Sequence, residues 1–304
     1  MSPRQTLTHR QDRPAASHDL PAAPRNVPIF LDAHAHYYPC FDPSRFLDHA
    51  AANFARAAAD RGFALQAPPH LVIASTPITR GLADLRDRAR RRSAGPWRLE
   101  PTAEAASFLA TRPPRAIPDL VLIDAVQAST AEGLEVLAIA GDRPIADGKP
   151  LRDTIAAARD AGAIVVIPWG FGKWWFARGR AGRDLLASLA PGEILLGDSA
   201  VRPRCSPTPV PLRLAAARGV RILPGTDPLP LRSESGRAGR YGCIIDAPFD
   251  PDRPAASLAR ALADPATSVR PFGLREPLAL FLRSQLALRL ARSAPRSFTQ
   301  EDAA

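Results

Sequence analysis

Helix-length segments alternate with short apolar runs through the second half of the chain, and this alternation constrains the fold more than any other feature. The sequence predicts helices over residues 150–161 and 210–218, and a glycine follows each of them, as is typical of a helix end. Apolar runs at 163–167, 193–196 and 220–223 are typical of buried strands. Such alternation across short loops predicts an α/β fold whose parallel sheet, closed or open, carries its helices outside.

The first half of the chain predicts further strands of this sheet together with an insertion. Apolar runs at 27–31 and 70–74 predict two strands, and each precedes a predicted helix, at 46–61 and 78–92. Farther on, strand-like runs follow one another with only turn residues between them. Strands without a helix-length connection pair antiparallel, so we expect an antiparallel strand insertion around residues 97–140.

The composition predicts one domain with a tail at each end. The chain has 304 residues, of which 46% are hydrophobic, and this is enough for the core of one large domain. Residues 1–26 contain four Pro and four Arg but no Val, Ile or Phe, which is typical of a disordered tail. We expect this tail, a single domain at 27–294 and a second disordered tail at 295–304.

The cysteines and the hydropathy pattern predict a cytoplasmic protein. Cys40, Cys205 and Cys243 lie far apart, so they predict neither a disulfide framework nor a zinc knuckle. The first 26 residues lack the apolar segment of a secretory signal, and no apolar stretch is long enough to span a membrane.

The net charge of +10 is a weak indication of nucleic-acid binding. Two of the 40 basic residues are Lys and the other 38 are Arg, which is typical of a GC-rich genome. Arg residues cluster only between residues 86 and 92, at the end of a predicted helix, where cations suit the helix dipole. We interpret this run as a solvated helix end rather than a phosphate-binding patch, and an Arg-rich nucleic-acid binder is the minor alternative.

All six histidines lie in the first 70 residues, so a site that uses imidazoles must draw them from there. His34 and His36 directly follow the predicted strand at 27–31. In an extended segment, side chains two residues apart point the same way, so both imidazoles can reach one ion. Asp32 is then placed to orient one of them. A pair of surface histidines in a loop is the alternative interpretation.

The loop after the predicted strand at 163–167 combines two glycines, three Trp and one of the two lysines. Trp169 and Lys173 belong to it, and this composition indicates the wall of a pocket or, alternatively, a loop packed on the surface. Other polar groups follow later strands. Asp198 and Arg202 come after 193–196, and Asp227 comes after 220–223, where a carboxylate can bind a metal ion or accept a proton.

Glu135 interrupts an otherwise apolar run, so it must find a partner or face a cavity.

Several well-known motifs do not occur. The sequence has no Walker loop, no G-x-G-x-x-G after a strand and no G-x-S-x-G elbow. Their absence argues against P-loop nucleotide hydrolases, Rossmann dehydrogenases and α/β-hydrolases.

Two motifs resemble those of the metal-dependent hydrolase barrels, which are the amidohydrolases and the polymerase and histidinol phosphatase (PHP) family. They are FLDAHAH at 30–36 and GTD at 225–227. Residues 135–138, followed by the unit that ends in Ile167-Pro168, look more like PHP proteins. Both families use further His ligands from middle and late strands, whereas here Trp169 stands where a PHP protein commonly has His.

This resemblance implies a (β/α) barrel of seven or eight strands, regular or distorted, with one to three divalent metal ions. It implies a hydrolase that acts on a small anionic substrate, such as a phosphate ester, through a metal-activated water. The alternative is a non-catalytic barrel of the same ancestry that binds a small anionic ligand or a protein partner. The resemblance implies His34, His36 and Asp227 as ligands of a divalent metal (Zn, Mn or Fe). With the residues chosen from their positions after the strands, the candidates are Asp227, Asp198 and Lys173 for catalysis and Trp169, Lys173, Arg202 and Glu135 for substrate binding.

Overall fold

Eleven strands and seven helices form in the part of the chain that the structure, a computed structural model, describes: residues 26–91, 93–115, 117–170, 172–188 and 192–293. The strands are β1 (Asn26–Ala35), β2 (His70–Ser75), β3 (Arg98–Pro101), β4 (Ser107–Thr111), β5 (Leu120–Ser129), β6 (Glu135–Ile139), β7 (Ile164–Pro168), β8 (Leu195–Ser199), β9 (Ile222–Gly225), β10 (Tyr241–Pro248) and β11 (Val269–Gly273). The helices are α1 (Pro43–Ala59), α2 (Leu82–Arg90), α3 (Leu151–Asp160), α4 (Phe176–Ser188), α5 (Val210–Ala217), α6 (Pro254–Ala263) and α7 (Leu278–Ser293).

All eleven strands belong to one mixed sheet. Nine of them follow the order β11-β10-β1-β2-β5-β6-β7-β8-β9, and the β3–β4 hairpin is attached to β5 through β4. Strands β7, β8 and β9 run parallel, as the alternation of helices and strands predicts. Strands β4, β5 and β6 pair antiparallel, so the antiparallel insertion is also confirmed. The α/β class is therefore correct.

The last strand of this path, β9, returns to the sheet and ends beside β1. The backbone N–H of Asp227, just after β9, donates to the carbonyl oxygen of His34 at 2.7 Å. Gly225 permits this approach, because a Cβ there would lie 2.6 Å from the backbone nitrogen of His34. The sheet is thus nearly closed and barrel-like. A regular barrel of seven or eight strands is not confirmed, since the antiparallel strands β10 and β11 extend the nine-strand path beyond β1.

Alternation along the strands separates an inner core from the layers under the helices. In β1, Ile29 and Leu31 face the inner cluster, which α6 also covers, whereas Phe30 packs under α1. A third cluster lies between the sheet and helices α3, α4 and α5. Helix α1 begins at Asp42, whose side chain accepts a hydrogen bond from the backbone N–H of Arg45.

Some predicted boundaries shift. Helix α4 begins at Phe176, directly after the loop that contains Trp169 and Lys173, and β8 continues through Asp198. Helix α6 and strand β11 were not predicted from the sequence. The predicted tails at 1–26 and 295–304 lie outside the described residues, except for Asn26, which begins β1. No helix in the described ranges is both long enough and apolar enough to cross a membrane.

The spacing of four residues between the leucines of the last helix predicts a packing stripe, but the row is exposed, so this prediction is wrong. Leu278, Leu282, Leu286 and Leu290 are 48%, 56%, 59% and 63% exposed. Helix α7 instead buries Phe281, together with Ser284, whose hydroxyl donates to Glu234. Spacing of four residues identifies a row on one face of a helix but does not show which way that face points.

Candidate metal centre

The two histidines of the HxH motif meet at the end of β1. The Nε2 atoms of His34 and His36 are 3.1 Å apart, and both side chains are buried. The pairing register of β1 with β2 shifts between Asp32 and Ala35, so the strand is irregular where the motif lies. The expectation that both imidazoles point to one place is therefore met in the structure.

Asp227 completes the group from the end of β9. Its Oδ1 lies 3.5 Å from Nε2 of His36 and 3.9 Å from Nε2 of His34. Asp227 has a φ of +46°, in the left-handed region that few residues other than glycine adopt. Such backbone strain is concentrated at functional sites. One ligand atom from each of these three residues lies within 4.8 Å of the others, so the group could hold a metal ion.

The hydrogen bonding of His36 fixes the nitrogen that faces the group. Its Nδ1 lies 3.1 Å from the carbonyl oxygen of Ala74, and a carbonyl can only accept, so Nδ1 carries the proton. Burial, followed by the nearby charge of His34, lowers the pKa of His36 to about 4, so the ring is neutral at pH 7. Nε2 therefore presents a lone pair to His34 and Asp227. A histidine whose other ring nitrogen is held by a carbonyl is typical of metal sites.

The distances within the group also fit a cation. Two nitrogens bound to one tetrahedral zinc ion at about 2.1 Å lie roughly 3.4 Å from each other. The observed separation of 3.1 Å between the two Nε2 atoms is slightly shorter, so both nitrogens reach one ion after a small movement of the rings. Two imidazoles and one carboxylate form a donor set suited to Zn, Mn or Fe. The residues present therefore fit the metal that the sequence analysis implies.

Asp32 joins the segments beneath the group instead of orienting an imidazole. Its carboxylate accepts hydrogen bonds from the backbone N–H groups of His34 at 3.2 Å and of Thr226 and Gly239 at 2.9 Å. The hydroxyl of Thr226 donates to it as well. Asp32 is fully buried, and this burial raises its pKa to about 6 against the effect of these hydrogen bonds. The expected orienting role of Asp32 is thus corrected, because its donors are mostly backbone groups.

Glu135 and Lys173 form an ion pair. The Lys173 Nζ lies 2.6 and 2.7 Å from the two carboxylate oxygens of Glu135. Lys173 is therefore the partner that the sequence predicted for Glu135 in the apolar run of β6. The side chain of Lys173 is 47% exposed and that of Glu135 is 18% exposed. The charge of Lys173 contributes to lowering the pKa of His36, which places the pair within electrostatic reach of the group.

Tyr38 is a neighbour of the group that the sequence analysis did not identify. Its ring centroid lies 5.6 Å from that of His36. Burial, followed by the charges of Asp227 and Glu135, raises the pKa of the Tyr38 hydroxyl. The feature of the sequence that could have identified Tyr38 is its position two residues after His36, which repeats the spacing of the HxH motif.

Asp198 and Arg202 pair with each other in a buried cluster. The Asp198 carboxylate accepts from Arg202 Nε at 2.9 Å, from Arg202 Nη2 at 2.6 Å and from the hydroxyl of Tyr241 at 3.0 Å. The Arg202 guanidinium lies 5.9 Å from the ring centroid of Trp169, which is also buried. Asp198 does not belong to the group around His34. Its catalytic role and the substrate-binding roles of Arg202 and Trp169 stay predictions.

Comparisons with known proteins give distant likenesses. No protein-family model and no curated protein matches the sequence. The crystal structure of PsfC from Pseudomonas syringae PB-5123 is 13% identical, with a TM-score of 0.47, over 87% of this chain and 98% of that chain. The lesion-specific endonuclease PfuEndoQ from Pyrococcus furiosus is 10% identical, with a TM-score of 0.49, over 89% of this chain and 68% of that chain. Likenesses at these values carry no argument about the function of this chain.

Proposed function

We propose that the chain is a metal-dependent hydrolase that acts on a small anionic substrate, with a phosphate ester as the favoured class. His34, His36 and Asp227 would hold one divalent ion. The observation that carries this proposal is the convergence of their three ligand atoms within 4.8 Å, although Asp227 lies almost two hundred residues from the histidines. When bound, such an ion is a Lewis acid that lowers the pKa of water toward neutrality.

The chain's own residues hold the group in place from several sides. The Ala74 carbonyl fixes the ring of His36, and the His34 carbonyl fixes the backbone of Asp227. Three protein ligands are the number found in catalytic zinc sites, which keep a position open for water or substrate, whereas structural zinc sites use four. Asp227 would also accept a proton, as the only carboxylate of the group in the described part of the chain.

Lys173 would bind the negative charge of the substrate. Its ammonium is half exposed and is held by Glu135 within electrostatic reach of His36. Glu135 would position Lys173 through both of its oxygens. An anionic group drawn to Lys173 would bring the rest of a small substrate against the three ligands.

Metal analysis and a hydrolysis panel test this proposal. We expect about one Zn, Mn or Fe ion per chain after purification without chelator, and turnover of phosphate esters that stops with chelator. His34→Ala should lose both the metal and the activity. His49→Ala is the matched control, because His49 is exposed and outside the group. A protein that contains no metal and takes up none would overturn the proposal.

A non-catalytic barrel that binds a small anionic ligand is the second candidate. The observation that favours it is the complete engagement of Asp198, a predicted base, by Arg202 and Tyr241. This candidate predicts that metal binds but that no phosphate ester or amide in a broad panel is hydrolysed. Turnover that disappears in His34→Ala would exclude it.

A further inference from the structure

A cleft of about 940 Å³ lies between the end of α2 and the β3–β4 hairpin. Its walls come from the last turns of α2, the turn at 95–97, strand β3 and the loop at 101–105. Two arginines of the run interpreted from the sequence as a solvated helix end, Arg86 and Arg90, therefore line a concave surface. None of the three residues of the candidate metal centre lines this cleft.

Three guanidinium groups line the cleft without an ion-pair partner in the part of the chain that the structure describes. Arg86 and Arg90 extend from α2, and Arg98 begins β3. None of them makes an ion pair with any residue that the structure describes. Their neighbour Arg112 contrasts with them, because its Nη1 lies 2.9 Å from a carboxylate oxygen of Asp48. The cleft thus concentrates positive charge that no ion pair among the described residues neutralises.

Arg86 is held in place by an aromatic ring. Its guanidinium carbon lies 4.3 Å from the ring centroid of Phe108, which is buried. Contact of a guanidinium with an aromatic face stabilises the cation and leaves its N–H groups free to donate at the edge of the plane. The cleft therefore contains a preorganised donor for an oxyanion.

The acidic side chains near the cleft are engaged or buried. Glu104 lines it, but the carboxylate of Glu104 accepts from the backbone N–H of Ala256 at 3.1 Å and from the hydroxyl of Ser107 at 2.6 Å. Asp124 is the acidic group close to Arg86, and burial raises the pKa of its carboxyl to about 6. Three guanidinium groups therefore outweigh the negative charge that faces them.

We propose that this cleft binds a ligand that carries several phosphate groups, through Arg86, Arg90 and Arg98. Guanidinium groups bind phosphate oxygens with paired N–H donors, and three of them in one concavity suit a polyanion better than a single carboxylate. Free polyphosphate, nucleoside triphosphates and a nucleic-acid backbone share this chemistry. The site is separate from the proposed metal centre and does not depend on it.

Titration calorimetry with inorganic tripolyphosphate, ATP and an oligothymidylate tests this site. We expect at least one of these probes to bind the purified chain, and the triple substitution Arg86→Gln, Arg90→Gln and Arg98→Gln to weaken binding by at least about tenfold. For the oligothymidylate, the log–log dependence on salt should become shallower by about two. Equal affinity for tripolyphosphate and ATP would assign recognition to phosphate alone. Tighter binding of ATP would identify a nucleoside triphosphate as the ligand class, and tighter binding of the oligonucleotide would identify a nucleic-acid backbone.

Matched controls separate this cleft from general charge and from the metal centre. Arg183, Arg213 and Arg218 are exposed on or next to α4 and α5, so changing all three to Gln removes the same charge outside the cleft. If the cleft triple is poorly folded, Arg98→Gln alone, at an exposed position, should still weaken binding measurably. Absence of binding by all three probes would overturn the proposal. Equal weakening by the control triple, or loss of binding in His34→Ala but not in the cleft triple, would overturn it too.

Discussion

The backbone N–H of Asp227 donates to the carbonyl oxygen of His34 at 2.7 Å, and this bond joins the ends of β9 and β1. The same two residues supply an imidazole and a carboxylate to the candidate metal centre. Closure of the sheet and assembly of the site are therefore one structural event. Changes that separate β9 from β1 should reduce the stability of the fold and the affinity for metal together.

Gly225→Ala tests this coupling at the point of closest approach. The added Cβ would lie 2.6 Å from the backbone nitrogen of His34, so one strand end must move. We expect the free energy of unfolding in urea to fall by about 3 kcal/mol, at the upper end of overpacking costs, and metal affinity to fall with it. Gly236→Ala is the control, because its Cβ would meet His49 at an ordinary 3.5 Å. Equal stability of the two variants would contradict the coupling.

Asp32→Asn tests the carboxylate beneath the site. Asp32 accepts hydrogen bonds from the backbone N–H groups of His34, Thr226 and Gly239. In the variant, the NH2 group that replaces one carboxylate oxygen donates and cannot accept. We expect a loss of about 3 kcal/mol in the free energy of unfolding, because buried donors lose their acceptor. Asp60→Asn, at an exposed position, should change stability by less than about 0.5 kcal/mol. A change of that small size in Asp32→Asn would refute the role assigned to this carboxylate.

His70 should make stability depend on pH. Burial lowers the pKa of His70 in the folded chain to about 4, whereas its value in the unfolded chain is about 6.5. Between these values the unfolded state binds more protons, so stability falls as the pH drops. The loss from this group is about 3 kcal/mol between pH 7 and pH 3.

His70→Asn removes this titration and keeps a donor for the Pro68 carbonyl, which His70 Nδ1 now contacts at 2.9 Å. Urea unfolding from pH 7 to pH 3 should show a smaller loss of stability in the variant than in the unmodified chain. The comparison uses the slopes, so a variant that is less stable at every pH still tests the prediction. Parallel slopes would show that His70 is not held neutral by burial.

Lys173→Gln tests substrate binding next to the metal centre. If Lys173 binds the anionic group, its loss should raise KM for a phosphate ester by about tenfold, the worth of one charge-assisted hydrogen bond. Metal affinity should not change, because Lys173 is not one of the three ligands. Lys149→Gln is the matched control, since Lys149 is the other lysine of the chain and is exposed. Equal kinetics of the two variants would show that Lys173 does not bind the substrate.

The sequence predicted those features that depend on periodicity and on the order of elements. The strand before His34 and the strand before Asp227 were both visible as apolar runs. A parallel sheet places such strand ends at one edge, and a nearly closed sheet brings the two together. The prediction that these residues are neighbours rested on that reasoning together with the resemblance to metal-dependent hydrolase barrels, because no spacing rule connects them.

Features that depend on the packing of side chains could not be predicted. Asp198 looked like a free carboxylate at a strand end, but β8 continues through it and Arg202 pairs with it inside the fold. The leucine row of α7 has a clear period, yet the direction in which a helix face points depends on the neighbouring elements. Arg86 and Arg90 of α2 line a cleft because the β3–β4 hairpin packs beside them.

The most direct test is anomalous diffraction at the zinc edge from crystals of the zinc-loaded chain. We expect one strong peak within about 2.1 Å of the Nε2 atoms of both His34 and His36 and beside the carboxylate of Asp227. The same data from Asp227→Ala should show a weaker peak or none at that position. Absence of a peak between the two imidazoles in the unmodified chain, with zinc present in excess, would contradict the account.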